Sequence, residues 1–208
     1  MGDDALRVAR ELMAGVDPAA AAERCGAEFS GNEDCGFFEL GFFGATVRID
    51  YPRLEFEREC ALPPHVQALL VYYLATSDGT PPPGDWCSFA DLPNGRFYSR
   101  AFQGYSGDAL SRRLGEQSDG LDTAVISLGG RMLSSEELAT NADSAWVVPG
   151  LPLVPIAIVW WDADDEFPSR AEYLFDATAA RHLPTDGCAV LGSWLTTCLI
   201  SIVEASRS

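Results

Sequence analysis

An acidic segment behind two tryptophans holds the side chains of this chain that are best suited to chemistry. Four carboxylates stand within five residues, directly after the apolar run that ends in Trp160 and Trp161. They are Asp162, Asp164, Asp165 and Glu166. Carboxylates this close repel one another unless solvent, arginine or a cation lies between them. Because hard divalent ions prefer oxygen ligands, Asp162, Asp164 and Glu166 are candidate ligands for Mg²⁺ or Mn²⁺.

The same segment has two further interpretations. As a calcium loop it fails, because Phe167 stands where the sharp turn needs glycine and Tyr173 where a bidentate glutamate should be. As an ordinary solvated turn, it needs only one carboxylate that accepts hydrogen bonds from nearby backbone N–H groups. The turn is the more common outcome for such a sequence.

Aromatic residues form a second group of candidates. Six aromatic side chains occur between residues 86 and 105. Core packing is the default for such a run, but rings exposed beside the two tryptophans would form an apolar pocket for a planar ligand or a protein partner. We therefore predict a recognition surface that combines these rings with the acidic segment. Its predicted members are Trp86, Ser88, Tyr105, Trp161, Asp164, Asp165, Glu166 and His182.

His182 is one of two histidines in the chain. A structural histidine, hydrogen-bonded near a turn, is the more frequent arrangement, and a role as ligand or base is the alternative. Asp176 lies close to His182 in sequence. If a strand over residues 171–176 returns beside 156–161, however, Asp176 lies a strand length away from the acidic segment.

Missing residue types exclude several enzyme classes. All 14 basic residues are arginine, so the chain has no lysine for a Schiff base with PLP, for a P-loop or for a Ser-x-x-Lys pair. The segment Gly104–Asp108 fails as a nucleophile elbow, because Asp108 occupies the final glycine position. These absences favour a non-enzymatic protein and leave metal-dependent catalysis as the enzymatic alternative.

The net charge excludes polyanionic partners. The formal charge is −17 at pH 7, whereas nucleic acids and anionic lipids are bound through Lys and Arg. We therefore expect neither nucleic acid nor a membrane surface as a partner. Solubility is the simplest explanation of the acidity.

Cysteine spacing and the apolar runs predict a cytoplasmic protein. The six cysteines include no Cys-x-x-Cys, which excludes the spacing of an iron–sulfur loop or zinc ribbon. Cys25 and Cys35 are the pair closest to a metal or redox role, and buried thiols are the default. No apolar leader follows Met1, and the apolar run over residues 146–161 contains three prolines and is too short for a bilayer.

Periodicity and turn residues predict an α+β fold. We expect one domain over residues 1–208, with a mixed, mostly antiparallel sheet packed against several helices. The predicted helices are 6–13, 18–25, 65–76, 106–114, 121–128 and 185–202, with Ser106 and Thr185 as caps of the fourth and the last. The predicted strands are 37–43, 45–51, 146–148, 156–161 and 171–176.

Several motifs, taken in order, resemble the bacterial and archaeal family catalogued as domain of unknown function 3786. They are Tyr73-Leu74, Gly79-Thr80-Pro81, the aromatic stretch from Trp86 to Phe102, Pro152–Ile156, Trp160 or Trp161, Asp164–Pro168, Leu174-Phe175-Asp176 and His182–Asp186. The resemblance covers most of the chain. It implies a single domain common in anaerobes and sometimes fused to a four-cysteine iron–sulfur module like that of corrinoid proteins. The family has no established activity, so no residue acquires a role from it.

Together these observations favour a cytosolic, non-enzymatic domain. Its expected ligand is a small molecule or a protein partner, and the resemblance links it to anaerobic redox or one-carbon, corrinoid-related metabolism. One alternative is a divalent-metal-dependent enzyme that uses the segment Asp162–Glu166. The other is a structural subunit of a larger complex. A divalent metal is the only cofactor that the residues suggest.

Overall fold

The computed structural model describes residues 2–57, 61–115, 118, 120–138 and 140–207. The helices are α1 Gly2–Met13, α2 Pro18–Cys25, α3 Pro64–Thr76, α4 Ser99–Tyr105, α5 Gly107–Leu114, α6 Leu121–Ser127, α7 Ser135–Leu138 and α8 Thr185–Ser206. The strands are β1 Glu28–Gly31, β2 Gly36–Phe42, β3 Ala45–Tyr51, β4 Glu55–Phe56, β5 Trp86–Ser88, β6 Arg131–Met132, β7 Ser144–Leu151, β8 Val154–Trp161 and β9 Arg170–Asp176. Short 3₁₀ helices cover Phe89–Asp91, Gly95–Phe97 and Ala179–Arg181.

The strands form two sheets. The first has the order β1-β2-β3-β4 and the second the order β5-β9-β8-β7-β6. In the second sheet, β8 and β9 pair from Trp161↔Arg170 to Ile156↔Phe175. The edge strand β5 pairs only with Leu174–Asp176 at the far end of β9. The connection between β8 and β9 therefore leaves the sheet at the end opposite β5.

Helix α8 packs in the centre of the fold. One of its sides is buried over five turns, and it contacts α3, α4, α5 and α6. Its buried residues are Gly187, Cys188, Leu191, Gly192, Leu195, Thr196, Leu199 and Val203. The hydroxyls of Thr196 and Tyr173 lie 2.9 Å apart, which joins α8 to β9. A continuous apolar core includes residues of both sheets, such as Phe38 and Phe175.

The α+β class is confirmed, but the sheet differs in detail from the prediction. The strands divide into two sheets, and every described pairing is antiparallel. The hairpin of β2 and β3 recruits the short β1 and β4 instead of extending the larger sheet. A backbone bond from Phe43 N to Gly150 O, 3.3 Å long, joins this hairpin to β7.

Of the two predicted helix caps, Ser106 stands at the predicted N-cap position but does not cap through its side chain, and Thr185 is wrong because Pro184 is the N-cap residue. Ser106 precedes α5, but its hydroxyl donates to Phe102 O in the helix before, at 2.6 Å. Thr185 is the first residue of α8, after Pro184, and its hydroxyl donates to Pro93 O at 2.6 Å. In both cases a nearby carbonyl competes successfully with the N–H groups of the first helical turn for the hydroxyl.

By length and composition alone, α8 is the one described helix that could cross a membrane. The core helix of a soluble protein passes the same test. Here α8 packs one side into the core between four other helices. Residues 146–161, the apolar run of the sequence, lie instead in the hairpin of the paired strands β7 and β8.

Candidate functional site

The acidic segment forms one wall of an open cleft at the end of the second sheet. It connects β8 to β9, and the Ser169 hydroxyl donates to Gly115 O at 2.6 Å, which ties this connection to the end of α5. The cleft has a volume of about 1130 Å³. It is lined by Asp108, Ser111, Arg112, Gly115, Asp143 and the stretch from Trp161 to Arg170.

Asp164 organises the acidic segment as a turn. Its Oδ1 accepts hydrogen bonds from Glu166 N at 2.8 Å and Phe167 N at 2.7 Å. Its own N–H donates to Phe167 O at 2.9 Å. The interpretation as a solvated turn with one capping carboxylate is thus confirmed for Asp164. The side chains of Asp165 and Glu166 remain exposed along the cleft.

Asp162 supports the strand before it. Its Oδ1 accepts a hydrogen bond of 2.8 Å from Nε1 of Trp160, whose ring is fully buried. Its N–H donates to Oδ2 of Asp143 at 2.9 Å, and Asp143 N donates to Trp160 O at 3.0 Å. These bonds satisfy the indole N–H of a buried tryptophan and hold the base of the acidic segment in place.

Two arginines bring positive charge to the cleft. The guanidinium carbon of Arg170 lies 4.1 Å from the ring centre of Trp161, a cation–π contact. Arg112 donates to the backbone carbonyl of Asp108 at 3.0 Å. Six carboxylates and these two guanidinium groups line the cleft, so its wall carries a negative excess.

The metal hypothesis finds no ligand set in the described part of the chain. Among these residues, no group of three or more His, Cys, Asp or Glu is placed to hold a metal ion. Oδ1 of Asp162 and Oδ1 of Asp164 already accept hydrogen bonds from the protein. The turn therefore does not gather the carboxylates of Asp162, Asp164 and Glu166 around one point.

Trp86 and Ser88 lie away from the cleft. Trp86 pairs with Asp176, six residues along β9 from Arg170, a distance of about 20 Å. Its ring packs against a small apolar cluster with Leu133, Ala145 and Ala157. The Ser88 hydroxyl and the Ser88 N–H both donate to Asp91 Oδ2, at 2.7 Å and 3.2 Å, at the start of the 3₁₀ helix that follows. The predicted convergence of these two residues with the acidic segment does not occur.

Ser88 instead lines a smaller groove beside α4, with a volume of about 330 Å³. Its other lining residues are Phe89, Ala90, Ser99, Arg100, Phe102, Gln103, Glu172, Tyr173 and Leu174. Tyr105 lines neither cavity. Its ring packs edge-on against Phe102 at 5.7 Å between centroids. The aromatic stretch is therefore part core and part surface, and it is separate from the rings of the cleft.

His182 is a structural residue buried between the loop after α3 and the start of α8. Its Nε2 lies 3.0 Å from Thr80 O, which can only accept, so this nitrogen carries the proton. Nδ1 then accepts from the Ser77 hydroxyl at 2.9 Å. His182 is 1% exposed. The ligand or base role is thus not supported by its position, which lies outside both cavities.

We predict that His182 makes the protein less stable in mild acid. Burial lowers the pKa of His182, partly opposed by Asp78 and Asp176, while Arg181 adds to the lowering. The unfolded chain therefore binds the proton more readily. The contribution of neutral His182 to the free energy of unfolding is fully present above the histidine pKa of the unfolded chain, about 6.5, and it is lost as the pH falls below that value.

Unfolding by urea at several pH values between about 5.5 and about 8, where most carboxylates do not titrate, measures this effect. The slope of unfolding free energy against pH should flatten in His182→Gln. His65→Gln is the matched control, because His65 is exposed at the start of α3 and is the only other histidine. Equal slopes in wild type and His182→Gln would contradict the prediction.

Four charged residues that line the cleft are not predicted from the sequence: Asp108, Arg112, Asp143 and Arg170. Asp108 and Arg112 are spaced by one helical turn in a predicted helix, which is a usable signal. The sequence predicts that β7 begins at residue 146 and so leaves Asp143 away from the sheet. In the structure β7 begins at Ser144, which pairs with Trp160 and places Asp143 beside the acidic segment. Arg170 was assigned to the loop, although it is the first residue of β9.

The described cysteines are free thiols. Cys25 is buried at the end of α2, and burial raises its pKa to about 11. Cys35 is exposed in the β1–β2 turn. Cys188 is fully buried in α8, and burial raises its pKa to about 12. Cys60 lies outside the described residues.

The fold and the cleft define an α+β protein with an acidic, arginine-containing surface cleft beside an antiparallel sheet. The family model "Domain of unknown function (DUF3786)" matches residues 17–197 of the 208. The chain therefore belongs to this family, as its motifs predicted. No curated protein and no solved structure matches the chain.

Proposed function

We propose that this protein is a non-enzymatic binding domain whose cleft takes a cationic segment of a partner protein. The observation that carries the proposal is the imbalance of charge in the cleft. Six carboxylates and two arginines line the cleft. The carboxylates of Asp165 and Glu166 accept no hydrogen bond from any described residue and form no ion pair with one. Such groups gain most from an incoming guanidinium or ammonium group.

The size and shape of the cleft favour a peptide segment over a small molecule. Pockets that enclose small ligands have volumes of about 300–1,000 Å³ and bury most of the ligand. This cleft is open to solvent and measures about 1130 Å³. The half-buried ring of Trp161 and the exposed ring of Phe167 add apolar surface for the aliphatic parts of Arg or Lys side chains.

Catalysis is less well supported by the same cleft. Neither His65 nor His182 lines it, and the described residues offer no metal ligand set. The resemblance to proteins fused to four-cysteine iron–sulfur modules supports a partner from anaerobic redox or corrinoid-related metabolism. On this proposal the protein acts in the cytoplasm as an acidic adaptor for such a partner.

Binding of a fluorescent Arg-Gly repeat peptide, with a Glu-Gly repeat as negative probe, tests the proposal. We expect the arginine peptide to bind and Asp165→Asn/Glu166→Gln to weaken it about five- to tenfold. An exposed ion pair contributes up to about 1 kcal/mol, and about 1.4 kcal/mol corresponds to tenfold. Raising the salt concentration should weaken binding as well.

The control separates the cleft from the general acidity of the chain. Glu33→Gln/Asp34→Asn removes the same charge from the exposed β1–β2 turn, and it should change the affinity less than twofold (roughly 0.4 kcal/mol). If both double variants weaken binding equally, the peptide responds to the net charge of the chain and not to the cleft, which refutes the proposed function. An arginine peptide that does not bind at all would refute it as well.

A further inference from the structure

Exposed aromatic rings and arginines lie together at the start of α4. Phe97 is 85% exposed and Tyr98 is 63% exposed. The flanking Arg96 and Arg100 donate no side-chain hydrogen bond and form no ion pair with any described residue. Both arginines are exposed, so positive charge stands beside two exposed rings in a chain of net charge −17. We call residues 96–100 the basic aromatic surface.

The basic aromatic surface adjoins the acidic cleft. Arg100 lines the smaller groove together with Glu172, whereas Arg170, two residues earlier on β9, lines the cleft. Two residues of a strand span about 7 Å. Between the two cavities, Nε2 of Gln103 donates to Ala171 O at 2.8 Å and to Asp108 Oδ1 at 2.7 Å. This hydrogen-bonded ridge separates a negative surface from a positive one.

We infer that the protein pairs with a second copy of itself through these two adjoining surfaces. A two-fold axis at the ridge turns the cleft of each copy toward the basic aromatic surface of the other. Such an interface is isologous, so each contact occurs twice and the assembly closes as a dimer. Arg96 and Arg100 of one copy then meet Asp165 and Glu166 of the other copy and occupy the cleft until a cationic segment of another protein displaces them. This inference rests on the proposed function, because the cleft again takes cationic groups.

Apolar surface accompanies the charges on both sides. Phe167, at the rim of the cleft, is 66% exposed. In the paired arrangement it meets Phe97 or Tyr98 of the other copy. The buried centre of an interface is typically aromatic and contains arginine. The net charge of each copy opposes association, but salt screens charges further apart than about 8 Å at physiological ionic strength. The charges in direct contact at the interface therefore determine whether the two copies associate.

Charge reversal tests the pairing in solution. Sedimentation or light scattering over a concentration series should give a dimer for the wild type. Two double variants are used, Arg96→Glu/Arg100→Glu and Asp165→Arg/Glu166→Arg. In a dimer of either variant, both symmetric contacts bring like charges together. Each variant alone should raise the dimer dissociation constant on the order of 100-fold. Circular dichroism checks that both retain the fold, since the substituted side chains are exposed.

Mixing the two variants is the decisive step. In a mixed pair, one contact is native and the other has its charges exchanged, so both attract. We expect the 1:1 mixture, and likewise the chain with all four substitutions, to recover the dimer. A wild-type chain that stays monomeric to high concentration would overturn this inference, as would two variants that stay apart when mixed. If the arginine peptide still binds in a manner that depends on Asp165 and Glu166, the proposed function survives that result.

Discussion

Replacement of Gly107 by alanine is expected to lower the free energy of unfolding by about 3 kcal/mol, because an added Cβ overpacks a backbone contact. Gly107 begins α5 and is buried. A Cβ at this position would collide with Ala171 O in β9 and would lie 2.7 Å from Nε2 of Gln103. These two atoms share the hydrogen bond that forms the ridge between the cavities. Helix α5 must therefore move away from β9 or that bond must break.

The displacement also reaches the cleft, since α5 supplies Asp108, Ser111 and Arg112 to its lining. Thermal unfolding should show a midpoint lower by about 6–12 °C for a chain of this size. We further expect weaker binding of the arginine peptide to the folded variant. Binding measured well below the unfolding midpoint distinguishes a moved helix from an unfolded one.

Gly104→Ala is the matched control, three residues earlier in α4. A Cβ there would meet no atom within 4 Å. Because alanine is the better helix former, this variant should be more stable than wild type by about 0.5–1 kcal/mol. If Gly107→Ala proves as stable as Gly104→Ala, the close approach of α5 to β9 is wrong.

This close approach illustrates which parts of the fold could be predicted from sequence. Helices α2, α3 and α8 and the hairpin of β2 and β3 follow from local periodicity and turn residues, and they lie where predicted. The division into two sheets depends on which strands find partners at long range, which no local pattern records. The same holds for the 3₁₀ helices within 86–97, where turn residues interrupt an aromatic run.

The candidate site divides in the same way. Asp162–Glu166 and Trp161 are neighbours in sequence, so their common location in the cleft could be predicted. The sequence alone could not show that Trp86 lies outside the site, because its distance from the cleft is fixed by the pairing of β5 with the far end of β9. Arg112 reaches the cleft only because α5 packs on β9. Contacts between distant segments decide both cases.

Asp176 is the second position where one side chain supports a large part of the structure. Its carboxylate is fully buried at the end of β9. Oδ2 accepts from Gly84 N at 2.8 Å. Oδ1 accepts from Thr178 N at 2.9 Å and from the Thr178 hydroxyl at 2.6 Å. The carboxylate thereby joins the loop Pro81–Gly84 before β5, here called the proline loop, to the turn after β9.

Asp176→Ala is expected to destabilise the protein by about 3 kcal/mol, because hydrogen bonds to a charged group contribute about 1.5–3 kcal/mol each and part of that is recovered when a buried charge is removed. Asp176→Asn should be intermediate, since its amide NH₂ faces an N–H donor on one side. Asp85→Ala is the control: it removes a nearby carboxylate that is exposed. Urea unfolding gives the total effect.

Amide hydrogen exchange gives the local effect of Asp176→Ala at the two backbone donors. Exchange at Gly84 and Thr178 should accelerate in this variant under conditions where the rest of the protein remains protected, because these N–H groups lose their acceptor. Asp85→Ala should leave both rates unchanged. If both alanine variants lose the same stability and neither alters exchange at Gly84, the buried carboxylate does not hold the proline loop, and the position of β5 at the edge of the second sheet must depend on its strand pairing with Leu174–Asp176 alone.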